Sequence, residues 1–334
     1  MNILFSLFAV LIIIVVATLG VETAKFDFLF GVIIPYAASA TFILGIVLKV
    51  INWARSPVPF HIPTVAGQQK SLKWIKSSKL ESPTSTLSVI GRMCLEILLF
   101  RSLFRNTKTE LKNGPILAYG SSKYLWLGAL AFHWTFLVIV LRHFRYFMEP
   151  VPAFVPFLQN VDGFFQVDLP ILYASDVIIV VALTFLFLRR VFDSKLRYIS
   201  LASDYFPLFL ILSIAITGIL MRYFTKVDIV SVKELALGLI SFHPVIPQGI
   251  GVIFYIHLFL VCTLLAYFPF SKLLHMPGIF LSPTRNLANN SRARRHKNPW
   301  DYPVKVHSYQ EYEDEFRDKM KAAGLPLEKE LEKQ

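Results

Sequence analysis

The feature that most constrains this chain is a series of apolar runs, each about 20 residues long, the length a helix needs to cross a bilayer. Six segments qualify: 3–20, 28–50, 125–147, 170–189, 205–223 and 247–271. Inside lipid the backbone must satisfy its own hydrogen bonds, so such segments are helices. A hydrophobic content of 55% and a mean hydropathy of +0.55 agree with that reading. The expected fold is an all-α integral membrane protein, a bundle of six transmembrane helices. The first run has the length of a signal peptide, but "MNILFSLF" has no Lys or Arg ahead of the apolar stretch, and it is read as a retained span.

The formal net charge of +12 would suggest nucleic acid in a soluble protein; here its distribution reads as topology. Twelve Lys and Arg lie in 49–124, four in the connection 189–203 and twelve from Lys272 onward. The opposite side holds six: Lys25, Arg142, Arg145, Arg222, Lys226 and Lys233. The positive-inside rule then puts both termini in the cytoplasm, in the cytoplasmic (inner) membrane, with no nucleic-acid partner. Four regions follow. Residues 1–50 hold two helices, and 51–124 form a cytoplasmic insert. Residues 125–275 are the four-helix membrane region, and 276–334 a cytoplasmic tail. Within the insert, "STLSVIGRMCLEILLFRSLFRN" reads as an amphipathic helix along the membrane surface. The stretch 148–169 is an outer loop rich in Pro and Phe. The mixed-charge end of the tail reads as a solvated helix or docking arm.

Histidine is costly in hydrocarbon without a partner. His61, His243, His296 and His307 sit in Pro-flanked loops or the polar tail and read as surface residues. The other four do not. His133 and His143 lie in the third apolar run, "YLWLGALAFHWTFLVIVLRHFRYF"; His257 lies in the sixth, and His275 at its inner end. His257 and His275 are eighteen residues apart, five turns if one helix carries both, so both would point the same way. His133 and His143 are ten apart, which offsets them by roughly 80°. The two helices run antiparallel, so depth pairs His133 with His275 and His143 with His257. Two such pairs suggest two bis-histidine haems b stacked across the membrane, between the third and sixth helices. One quantity fits poorly: the rises are ~15 Å and ~27 Å, which straight helices cannot match without tilt or a kink at Pro269. Hydrogen-bonded packing histidines and a zinc or proton-transport site are the alternatives.

Only Cys94 and Cys262 are present, with no C-x-x-C-H, so a disulfide framework, covalent haem and an iron–sulfur centre held by this chain alone are all excluded. Haem propionates attract cations at the membrane faces. Arg142, Arg145 and Arg222 at the outer end and Lys272 at the inner end are candidates, or else snorkelling residues. Asp176, six or seven residues into the fourth run, and Glu149 are acids placed to take protons from an oxidised quinol, or else shallow wet or capping residues.

The histidine spacing resembles that of the gamma subunit of respiratory nitrate reductase, a dihaem cytochrome b, over about 28–275. The first span, the long insert and the tail "RHKNPWDYPVKVHSYQEYEDEFRDKM" depart from that subunit and resemble the DsrM family, cytochrome b subunits of the DsrMKJOP complex of sulfate reducers. The resemblance implies four axial ligands, His133 and His275 inside and His143 and His257 outside, with a menaquinone site near the outer haem. It implies an electron-transfer subunit of a menaquinol-oxidising complex, not a complete enzyme. Implied partners are a cytoplasmic heterodisulfide reductase-like iron–sulfur subunit, a second quinone-interacting membrane subunit, a periplasmic iron–sulfur protein and a multihaem cytochrome c. DsrC would be the downstream acceptor. The alternatives are the cytochrome b of a heterodisulfide or nitrate reductase, a transporter, and an anchor with no cofactor.

Overall fold

The computed structural model describes residues 2–56, 67–166, 170–294, 303 and 306–328. Part of the "RARRHK" cluster, His61 and His296 lie outside them. Helix α1 (Asn2–Thr18) runs on through a wider π-helical turn to Thr23; a second such turn, Leu29–Ile33, leads into α2 (Ile34–Ala54). The insert carries α3 (Thr86–Leu99), α4 (Arg101–Arg105) and a hairpin of β1 (Thr107–Lys112) and β2 (Ile116–Ser121). Next come α5 (Lys123–Phe147), α6 (Phe154–Asp162), the short strands β3 (Gly163–Phe165) and β4 (Leu172–Tyr173), and α7 (Ala174–Phe192). The chain continues with α8 (Ser194–Ile199), α9 (Ala202–Ile219), α10 (Ile229–Ile240), α11 (Val252–Tyr267), α12 (His275–Leu281) and α13 (Tyr309–Ala322).

Five stretches are long and apolar enough to cross a membrane: Asn2–Thr23, Leu29–Ala54, Lys123–Phe147, Ala202–Thr225 and Val252–Phe270. The expected fourth span falls on α7, which starts later than expected and carries Asp176, Arg189 and Arg190 near its ends. It still runs the thickness of the bundle. Arg142 near the C-terminal end of α5 bonds Ser175 at one end of α7. At the other end, Arg190 reaches Ser200 just before α9. Nineteen residues of α-helix rise about 28 Å, close to the hydrocarbon thickness.

The core is three linked clusters. Val10 (α1), Leu210 (α9) and Leu260 (α11) meet at the centre. Ala17, Val21, Phe30 and Tyr255 join α1, the turn before α2, and α11. Ile179 and Leu183 of α7 pack on Ile211, with Phe132, Phe136 and Ile139 of α5 against them. The opposite face of α5 exposes Trp134, Leu137, Val140 and Phe144. Such an apolar face suits contact with lipid or a neighbouring subunit.

One end of the bundle gathers the N-terminus, the basic 193–201 connection and Lys272. Asn2 Nδ2 donates to the Ser200 carbonyl at 3.1 Å, Ser6 Oγ to that of Ala202 at 3.0 Å, and Lys272 Nζ to Asp204 Oδ1 at 2.7 Å.

Three expectations change. First, His257 and His275 do not share a helix. α11 ends at Tyr267, tightens into a 3-10 turn through Phe270, and breaks at Ser271, whose φ is −120° and ψ 176°. Pro269 sits in that turn, where a ring without an N–H cannot continue the helix. The break docks on α2 at Gly45, where an added Cβ would lie 2.6 Å from Pro269 Cβ. The span's rise therefore does not have to match that between His133 and His143. Second, the amphipathic stretch of the insert is two helices, divided at Phe100 in a left-handed conformation (φ 48°). Third, the insert contains a hairpin that hydropathy does not reveal. Its turn holds Asn113 and Gly114 at φ 47° and 91°, the Asn-Gly pair that hairpin turns favour. The mixed-charge tail run does form a helix, α13, opened by a reciprocal Ser308–Glu311 cap.

Candidate functional site

Two of the four membrane histidines meet. His133 (α5) and His275 (the first residue of α12) meet with ring centroids 5.8 Å apart and planes at 79°. His143 lies ten residues further along α5, and His257 lies on α11. Helices α5 and α11 pack on different neighbours, α5 on α7, and α11 on α1, α2 and α9.

All four rings use Nδ1 in a hydrogen bond. His133 Nδ1 lies 2.7 Å from the Ala129 carbonyl, His143 Nδ1 2.7 Å from that of Ile139, and His275 Nδ1 2.9 Å from that of Lys272. A carbonyl only accepts, so each Nδ1 carries the proton. His257 Nδ1 lies 2.9 Å from Thr217 Oγ1 on α9. The single proton of that hydroxyl is shared between the carbonyls of Ser213 (2.8 Å) and Ile214 (3.0 Å), which leaves its oxygen to accept from the ring. With Nδ1 so engaged, Nε2 is the nitrogen of each ring left to bind a metal. This is how a metal-bound histidine is oriented, with the far nitrogen fixed by a hydrogen bond.

The donor set fits haem better than a bare metal ion. Among the described residues no group of three or more His, Cys, Asp and Glu gathers. A tetrahedral zinc site needs three or four protein ligands, whereas haem iron takes two axial ones. His133 and His275, with ring centroids 5.8 Å apart, are the two residues that would hold one such group. Phe100 and Phe132 pack edge-on against His133, at 5.0 and 4.9 Å, so the polar ring sits among aromatics.

The cations fare unequally. Arg142 is only 8% exposed and is held by acids: Nη1 is 3.0 Å from Asp162 Oδ2, and Nη2 is 3.3 Å from Asp176 Oδ1 and 3.0 Å from Ser175 Oγ. Its guanidinium covers one side of the Tyr173 ring at 3.8 Å, and Arg222 approaches the same ring at 4.1 Å. Arg222 Nη2 also donates to the Ile171 carbonyl at 3.1 Å. These two arginines tie α5, α7 and the end of α9 together. Lys272 is paired with Asp204. Arg145 lies beside Tyr146 at 5.7 Å, with no acid against it among the described residues.

Neither candidate acid is free. Asp176 lies in the first turn of α7, shallower than expected, where a helix N-terminus favours negative charge. Its Oδ2 accepts from Tyr223 at 2.7 Å, and its Oδ1 faces Arg142. Glu149 pairs with Lys233 and is 63% exposed.

Sequence reasoning missed Thr217, forty residues before its histidine, and Phe100, at the break between α3 and α4. It also missed that Asp162 and Tyr173 hold Arg142. No spacing rule joins such residues; only the fold does.

The nitrate reductase gamma subunit family matches residues 93–295. The chain is 47% identical over 280 residues to an Hdr-like menaquinol oxidoreductase cytochrome b-like subunit of Archaeoglobus fulgidus, covering 82% of this chain and 83% of the relative. It is 42% identical over 275 residues to the protein of that name from Archaeoglobus profundus, covering 80% and 81%. With its apolar helices, this multi-pass membrane protein belongs to the nitrate reductase gamma subunit family, together with the cytochrome b-like subunits it resembles.

Proposed function

We propose that the chain is a dihaem cytochrome b of the DsrM kind, an electron-transfer subunit linking menaquinol outside to a cytoplasmic heterodisulfide reductase-like iron–sulfur partner in dissimilatory sulfate reduction. The observation that carries this is the shared tautomer: four membrane histidines donate from Nδ1 and keep Nε2 free. The relatives' names, which include menaquinol and cytochrome b, support it. Haems b held by His133 with His275 and by His143 with His257 would supply one-electron carriers at two depths.

Six helices cross the cytoplasmic membrane in this reading, α7 among them, with both termini, the insert and the tail in the cytoplasm. Periplasmic partners and a second membrane subunit would meet the other face and the exposed side of α5. At the outer end, Arg145 is the cation free to face a propionate, since Arg142 and Arg222 are engaged with protein groups. Oxidising one quinol releases two electrons and two protons. Glu149, paired with Lys233 but exposed, is the one of the two acids that could pass a proton on to water. Asp176 already accepts from Tyr223 and Arg142 and serves to hold the outer loop. At the inner end, His275 precedes only α12 before the chain leaves the bundle, so a partner docked on the insert and tail, with DsrC beyond it, would come close.

The test is stopped-flow absorbance on the assembled complex. His143→Ala should block menaquinol-driven reduction. His275→Ala should leave outer reduction intact and stop transfer to the partner. Normal inner reduction in His143→Ala would move the quinone site to the cytoplasmic face.

A further inference from the structure

A second cluster of arginines lies beside the inner histidine pair, in segments that the histidine spacing does not touch. Arg92 of α3 is 5% exposed, and its Nη1 has no hydrogen-bond partner among the described residues. Glu96, one turn along the same face, is taken: Arg285 Nη1 is 3.2 Å from its Oε1, and Ser102 donates to it through both its backbone N–H (3.1 Å) and its hydroxyl. Glu81 is taken by Arg101 and Arg105. Among the described residues four guanidiniums thus face two carboxylates, and the most buried one, Arg92, is left without an acid of its own.

A buried guanidinium with a nitrogen left unsatisfied is unfavourable. Burial and the neighbouring Arg285 and Arg101 press Arg92 toward losing its proton, and Glu96 only partly opposes them. Arginine does not give up its proton in proteins, so the arrangement calls for an anion.

The chain also shows where the cluster sits. Trp134, next to His133, donates from Nε1 to the Leu98 carbonyl at 2.9 Å, and Trp126 to that of Leu99 at 2.7 Å. The ring of Phe100 packs on the His133 imidazole at 5.0 Å, and Arg101 is the next residue. Arg92 lies about 9 Å back along α3 from Leu98. Arg285 follows His275 after α12 and a turn, and reaches Ser102 Oγ at 2.6 Å. Both segments that supply the cluster are therefore fastened to the His133–His275 pair.

We infer that Arg92, with Arg101 and Arg285 beside it, is an anion site that receives the propionate carboxylates of the inner haem. This rests on the haem reading above. The insert then does more than cover the bundle. It closes the inner site and sets the charge around it: a fixed positive charge disfavours the ferric, more positive form and holds the inner potential up.

The experiment is a redox titration of the purified full-length protein, wild type against Arg92→Met and Arg92→Lys, with the outer haem as internal reference. Methionine fills similar space without charge, and replacing an unpaired buried ion by an apolar residue is tolerated by the fold. Arg92→Met should lower the inner midpoint potential and speed loss of the inner haem on washing, leaving the outer one alone. Arg92→Lys should keep the potential near wild type. Two haems with unchanged inner potential and retention in Arg92→Met would overturn this assignment alone. A wild-type chain that holds no haem would overturn the functional reading and this inference with it.

Discussion

The Nδ1 of His257 on α11 and the Oγ1 of Thr217 on α9 lie 2.9 Å apart, with the hydroxyl as acceptor. Helix α9 thus aims a ring carried by its neighbour. Thr217→Val keeps the shape and removes that acceptor. Losing such an orienting bond costs about 10–100-fold in metal affinity. The outer haem should therefore wash out of Thr217→Val faster than the inner one, as haem per chain after gel filtration will show. Equal retention of both would mean that Thr217 does not orient a ligand.

Arg142 predicts a stability effect. Removing one partner of a buried ion pair costs about 3–5 kcal/mol, and Arg142→Ala strands both Asp162 and Asp176. Thermal unfolding in detergent should show a large drop. Adding Asp162→Asn and Asp176→Asn should recover part of it, because the stranded charges are gone. A loss under about 1 kcal/mol, the range of a surface pair, would contradict the packing described for this end.

Much of the membrane part was legible in the sequence, because burial in lipid forces a simple pattern on each span. The run at 125–147 matches α5 within two residues. His133 and His275, set at one depth by the sequence pattern, have ring centroids 5.8 Å apart. What the sequence hid depends on contacts between distant segments. The stop after Tyr267 is foreshadowed by Pro269, but the docking of that break on Gly45 is not. The partners of Arg142 and Arg222 were hidden because Asp162, Tyr173 and the Ile171 carbonyl come from a segment whose fold hydropathy does not describe. Asp176 looked deeper because the apolar run 170–189 begins before the helix does.

The broken sixth span gives a third prediction. Gly45→Val would push a side chain into Pro269, and overpacking of this kind costs about 1–3 kcal/mol. Displacing the break moves His275 relative to His133. The variant should lose the inner haem signal in difference spectra while the outer one persists. Loss of the outer haem first would show that the break does not place His275.

Topology gives a fourth. Reporters active on one side of the membrane, fused at Gln334 and within 148–166, should report cytoplasm and periplasm respectively, as the basic residues require. Periplasmic activity at Gln334 would exchange the inner and outer labels throughout.

The central claim is that four histidines hold two haems, and haem counting tests it most directly. Pyridine haemochrome quantitation of the purified wild-type chain should give two haems b per chain. His257→Ala should give one, with the inner haem's spectrum retained. An unchanged haem content in His257→Ala would contradict the account.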